Sequence, residues 1–173
     1  MNSFLNPDEV LDTLNLKPDM VAAEFGCGAG GFTFPLARRL EDGLVFAIDI
    51  QESVLSALKS RALLENIVNI NVIHSDLERP RGSTLSSESL DLVLIPNVLF
   101  QIEDKDAIIK EAKRVLKNNG KLIIIDWLEN AACGPLGKRI KPDEVKSLAE
   151  KNGFKLEKEF RPGIYHYGLT FLK

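Results

Sequence analysis

The sequence has little of several things, and each shortage excludes something. Two cysteines, Cys27 and Cys133, in 173 residues make neither a disulfide framework nor a metal-ligand spacing, so no metal site is expected. No apolar run reaches the roughly 18 residues that cross a bilayer. The opening stretch MNSFLNPDEV has neither the charged nor the apolar region of a secretory signal. The expectation is a cytoplasmic protein without a membrane span. Basic residues are not in excess: 22 Lys and Arg stand against 25 Asp and Glu, a formal net charge of −3. Tight non-specific binding to nucleic acid needs a basic surface. Only Lys138, Arg139 and Lys141 form a short basic cluster. No linker, repeat or low-complexity tract divides the chain, and the polar stretch 81–89 reads as a loop. Residues 1–173 therefore read as a single domain, long enough to bury roughly 70% of the unfolded surface and fold without staples.

What is present is an alternation of two kinds of segment. Short β-branched, apolar runs read as strands at Met20–Phe25, Leu44–Ile48, Ile70–His74, Leu90–Ile95 and Lys121–Asp126. Amphipathic stretches read as helices at Gly31–Leu40, Glu52–Leu64 and Lys105–Leu116. Asn6 and Pro7 have the chemistry of a helix start, and Asn118-Asn119-Gly120 that of a helix end. This order predicts a doubly wound α/β sheet with helices on both faces. Runs such as LVLI suit strands covered on both sides. The end of the chain differs. A helix from Lys141 to about Lys151 precedes strands at Phe154–Phe160 and Ile164–Leu172, joined by the turn Arg161-Pro162-Gly163. Strands joined so tightly are antiparallel, which makes the sheet mixed, with one antiparallel strand.

The sharpest local feature is Glu24-Phe25-Gly26-Cys27-Gly28-Ala29-Gly30-Gly31, between the first strand and the first crossover helix. Its glycines permit a sharp turn and a close approach of ligand to backbone. Two patterns fit. Gly26, Gly28 and Gly31 satisfy the dinucleotide fingerprint G-x-G-x-x-G. Glu24, Gly26, Gly28 and Gly30 satisfy acidic-x-G-x-G-x-G. Asp49 ends the second strand, where a carboxylate accepts from ribose hydroxyls; this suits a nucleotide without choosing one. Ile50 follows it. Asp76 ends the third strand, placed for the exocyclic amine of adenine, with the Leu77 N–H offered to the ring. Glu24 would repel a pyrophosphate and attract the amino group of an amino-acid moiety. A nicotinamide-dependent reductase would also need a second substrate domain, for which no chain remains.

With these residues the chain resembles a class I S-adenosylmethionine-dependent methyltransferase across essentially its whole length. Glu24 to Gly30 is similar to that family's glycine-rich motif, Asp49 to its ribose acid and Asp76 to its adenine acid. Ala112–Trp127 (AKRVLKNNGKLIIIDW) resembles the helix, turn and fifth strand of the ubiquinone and menaquinone biosynthesis branch. The resemblance implies a Rossmann-like, seven-stranded mixed sheet with its last strand antiparallel. It implies S-adenosyl-L-methionine as cofactor and S-adenosyl-L-homocysteine as product. The cofactor-binding set is then Glu24, Gly26, Gly28, Gly30, Asp49, Ile50, Asp76 and Leu77.

Methyl transfer from a sulfonium is an in-line displacement that asks an enzyme mainly to align the acceptor and exclude water. A base matters only if the acceptor must lose a proton. Acceptor contacts are expected after the fourth and fifth strands and at the start of the seventh, from Asn97, Trp127 and Tyr165. Asn97 and His166 are the candidate catalytic groups, each with an ordinary structural role open to it. Alternation places Tyr165 and Tyr167 on one face of the last strand and His166 on the other. An acidic chain without an added recognition domain favours a small-molecule acceptor. A protein or nucleic-acid acceptor, or a non-catalytic cofactor-binding module, are the alternatives.

Overall fold

The computed structural model describes residues 4–173. Helix α1 (Pro7–Asp12) starts where Asn6 caps it, the Asn6 side chain accepting from the Asp8 N–H at 3.0 Å. Then come β1 (Val21–Phe25), α2 (Thr33–Arg39), β2 (Leu44–Asp49), α3 (Glu52–Leu64), β3 (Ile70–His74) and β4 (Leu90–Pro96). A short 3-10 turn (Leu99–Gln101) leads to α4 (Lys105–Val115), β5 (Leu116–Trp127), α5 (Pro142–Lys151), β6 (Lys155–Phe160) and β7 (His166–Leu172).

The strands form one seven-stranded sheet in the order β3-β2-β1-β4-β5-β7-β6. Pairs among β1 to β5 are parallel, and β7 runs antiparallel to both β5 and β6. The chain winds outward from β1 through β2 to β3, then crosses back to place β4 on the other side of β1. Order therefore reverses between β1 and β4, and ligands in such sheets bind outside the carboxyl ends of the strands at that point.

Alternation along the strands sorts the core into two layers. Ala23, Phe25, Val93, Ile95 and Ile124 face α4 and α5, meeting Ile108, Ile109, Ala112, Val145 and Ala149. Ala22, Leu92, Leu94 and Ile123 face α1 and α2, meeting Val10, Leu11, Leu36 and Ala37. Further along that second face, Ala47 packs on Leu55 and Leu58 of α3. The doubly wound architecture with its mixed sheet is thus as the sequence suggests.

Some boundaries differ. Helix α2 begins at Thr33, two residues later than expected, because the glycine turn runs on through Phe32. Leu116 leaves α4 in extended conformation and pairs with Leu90 as the start of β5. The chain then bulges through Asn118 and Asn119 (φ +64°) before Lys121 pairs with Leu92. The expected helix-ending turn is therefore an irregularity within the strand.

Candidate functional site

At the carboxyl end of β1 the backbone turns on glycines that nothing else replaces. Gly26 has φ +74°, and a Cβ there would lie 2.4 Å from Val98 Cγ2. Gly30 has φ +82°, and a Cβ there would lie 2.6 Å from the Phe34 ring. L residues with a side chain adopt such angles at a cost. The Ile48 carbonyl at the end of β2 ties the turn down, accepting from the N–H groups of Gly26 and Cys27 at 2.8 and 3.0 Å.

Asp49, one residue further on, completes the anchor. Its Oδ2 accepts from the Gly28 N–H at 2.8 Å and its Oδ1 from the Gln51 N–H at 2.9 Å. A carboxylate offers about four lone-pair positions, so Asp49 keeps acceptor capacity beyond these two bonds. Asp76 follows β3 and caps its own turn: Oδ1 accepts from the Glu78 N–H at 3.0 Å, and Oδ2 meets Arg79 Nε at 3.1 Å. Arg79 is 79% exposed, so that pair sits in water and yields easily.

These strand ends converge. Gly26, Gly28, Asp49, Ile50, Asp76, Leu77, Asn97 and Gln101 line one cavity of about 360 Å³. Of the residues expected from sequence to hold a cofactor, six meet there. The other two lie elsewhere. Gly30 packs against α2 and α3. Glu24 is 1% exposed, in β1 rather than in the loop, and accepts from Thr33 Oγ1 at the start of α2. Burial pushes its pKa up to about 8 against the pull of those hydrogen bonds.

Asn97 has left-handed backbone (φ +56°), and its N–H donates to the Ile125 carbonyl at 2.7 Å. That bond fixes the turn after β4 against β5. Asn97 lines the cavity, and its side-chain Oδ1 is buried with no partner among the described residues. A buried acceptor left open is costly.

Trp127, Tyr165 and His166 are not in that cavity. They form an aromatic cluster at the ends of β5 and β7, where Trp127 pairs with His166 and their ring centroids are 4.1 Å apart. Phe4 lies against all three, at 5.9 Å from Trp127, 5.8 Å from Tyr165 and 5.7 Å from His166. The expected alternation therefore breaks at Tyr165. It precedes the paired part of β7 and shares Phe4 with His166, whereas Tyr167 packs on the opposite face and donates to the Ile140 carbonyl. His166 is fully buried, and neither ring nitrogen has a partner among the described residues.

Three contributors escaped the sequence reading. Asp126 is fully buried at the end of β5 and accepts from the Phe100 and Trp127 N–H groups at 3.2 and 2.7 Å. Burial raises its pKa to about 6, against those bonds. Glu111 on α4 holds the polar loop after Asp76, accepting from the Ser83 N–H at 3.0 Å and from Arg114 at 2.7 and 2.8 Å. Arg139 donates to the carbonyls of Leu128, Ala131, Cys133 and Pro135, gathering the segment that follows Trp127. Only the polarity of Asp126 inside an apolar strand was visible in sequence. The other two depend on contacts made by the fold.

Known proteins share this architecture. A family model described as a methyltransferase domain matches residues 16–161, well over half of the chain. The demethylmenaquinone methyltransferase of Bacillus mycoides (strain KBAB4) is 28% identical over 128 residues, which are 73% of this chain and 52% of that protein. The chain thus spans about half the length of that curated relative. The crystal structure of a SAM dependent methyltransferase from Aquifex aeolicus matches with a TM-score of 0.88 and 25% identity, covering 97% of this chain and 89% of that one. The cyclase SpnF shares the fold alone: its TM-score is 0.83 at 16% identity, covering 96% and 79%. The family match, with the glycine turn and the strand-end acids behind it, makes this chain a member of the methyltransferase domain family.

Proposed function

We propose that this chain binds S-adenosyl-L-methionine in the cavity at the β1/β4 switch point and methylates a small-molecule acceptor. One observation carries the reading: the ends of β1, β2, β3 and β4 bring Gly26, Gly28, Asp49, Asp76 and Asn97 to one cavity. Its volume of about 360 Å³ lies within the roughly 300–1,000 Å³ range of small-molecule sites. The residues present fit the group. Asp49 would take the ribose hydroxyls, Asp76 the adenine amine, and the open Asn97 Oδ1 a polar hydrogen of the ligand. The Leu77 backbone and the exposed Ile50 side chain would flank the base. Glu24 lies outside the cavity, buried against Thr33, and holds the start of α2 behind the turn.

When bound, S-adenosylmethionine supplies a methyl group already activated by its sulfonium. What this chain adds is position: Asp49 and the Ile48 carbonyl hold the glycine turn, and the Asn97 N–H locks the turn after β4 to β5. The relative named as a demethylmenaquinone methyltransferase supports a quinone-like small acceptor. The net charge of −3 disfavours a polyanionic acceptor.

The test is transfer of a labelled methyl group from S-adenosylmethionine to quinone precursors and to a small-metabolite extract. The expected result is one labelled small-molecule product. Cofactor binding without turnover on any acceptor would favour a non-catalytic module and overturn the enzymatic reading.

A further inference from the structure

The aromatic cluster beside the cavity has a feature that its packing does not explain. His166 is fully buried against Phe4 and Trp127, yet both ring nitrogens lack a partner among the described residues. Buried polar atoms in native proteins are nearly always paired, and an exception calls for a missing partner. Packing alone would be served better by phenylalanine, which fills similar space and strands no polar atom.

The exposed ring that covers His166 belongs to Phe4. That side chain is 56% exposed, although it touches three aromatic groups. Among the described residues its side chain is held by aromatic contacts alone. Trp127, by contrast, is fixed from behind, since Gly134 leaves no room between its own backbone and the indole. The box thus has one firm wall, one polar floor and one replaceable cover. It also lies in the right place. Trp127 is two residues, about 7 Å, along β5 from Ile125, whose carbonyl holds Asn97 at the cofactor cavity.

We propose that Trp127 and His166, which Phe4 covers, form a recognition site for a flat ring bearing a hydroxyl group, with His166 as its specificity-determining residue. The proposal rests on the methyltransferase reading and deepens it by naming the acceptor's chemistry. The ring takes the place of Phe4 against Trp127, and its hydroxyl meets the imidazole. A neutral imidazole has one donor and one acceptor nitrogen, and a hydroxyl matches either. Burial, with the nearby Arg139, pushes the His166 pKa down to about 4, so the imidazole is neutral at physiological pH. It selects and orients the ring, and no proton transfer is assigned to it.

Trp127 is the only tryptophan in the chain and reports directly on the box. The experiment titrates its emission with 1,4-dihydroxybenzene, kept reduced under nitrogen, and with 1,4-dimethoxybenzene, which lacks the hydroxyl hydrogens. Wild type should quench saturably with both, at least tenfold more tightly with the dihydroxy compound. His166→Phe should keep its fold, bind both rings and bring the two affinities within twofold. Phe4→Ala should tighten binding of the dihydroxy ring at least threefold. Absence of saturable quenching in wild type, or a preference unchanged in His166→Phe, overturns the proposal. Calorimetry with S-adenosylhomocysteine on the same samples separates the two readings. Binding of that nucleoside without ring recognition defeats this inference alone, and no nucleoside binding defeats the proposed function.

Discussion

At the scale of single residues, the buried carboxylates divide by what surrounds them. Glu24 is enclosed with one hydroxyl, Thr33, and burial raises its pKa to about 8. Glu111 is enclosed with Arg114 and Ser83; burial works to raise its pKa, but those hydrogen bonds more than offset it, and the net shift is downward. The two therefore act oppositely on stability. A raised acid binds more protons folded than unfolded, so wild type should lose stability relative to Glu24→Gln as pH rises from about 5 to 8. A lowered acid stabilises above its unfolded value near 4.3, and that contribution disappears as pH falls through the folded value. Glu111→Ala should cost about 3 kcal/mol at pH 7, the scale for removing one partner of a largely buried pair. The deficit should shrink markedly by pH 3.5. Urea midpoints across pH check both signs. A Glu111→Ala deficit that does not depend on pH would show that lost packing, not charge, sets the cost. At the glycine turn, Gly26→Ala brings a methyl group against Val98 at a left-handed φ. It should weaken S-adenosylhomocysteine binding at least tenfold by calorimetry, because Val98 lines the cavity.

At the scale of elements, the segment between β5 and α5 has the plainest dependence on one side chain. Arg139 donates to four carbonyls of residues 128–135, and its guanidinium lies 5.8 Å from the Trp127 ring centre. Arg139→Ala should leave the global urea midpoint nearly unchanged and speed amide exchange and proteolysis within 128–139. Unaltered exchange there would show that the segment is held by other contacts. The elements also show what the sequence made legible. Strands such as Leu90–Pro96, apolar but for Asp91, are readable because both faces are covered. The start of β5 was not, because Leu116 joins the strand by pairing with Leu90 across a bulge that no local pattern encodes. The site divides the same way. Gly26, Gly28, Asp49 and Asp76 were readable as punctuation at strand ends. Phe4 on Trp127, and Glu111 on Ser83, join residues far apart in the chain and arise only from the fold. Glu24 was readable as an acid near the turn, but its direction was not: its carboxyl points to Thr33 beneath the loop.

At the scale of the whole molecule, the reversal of strand order between β1 and β4 gathers these parts at one place. A sheet that winds outward in one direction from β1 and returns on the other side leaves a crevice beyond its strand ends. The glycine turn, Asp49, Asp76 and Asn97 stand around it. The fold alone does not dictate chemistry, since SpnF shares it and is a cyclase. The claim therefore rests on the strand-end groups, and Asp49 is the one most engaged with both turn and cavity. The most direct measurement is calorimetry of S-adenosylhomocysteine with wild type and Asp49→Ala, each first checked for an intact unfolding transition. The account predicts saturable binding to wild type, weakened in the variant by about 1.5–3 kcal/mol, as for hydrogen bonds to a charged group. That is roughly 10- to 150-fold in affinity. No binding to wild type, or equal affinity in a folded variant, would contradict it.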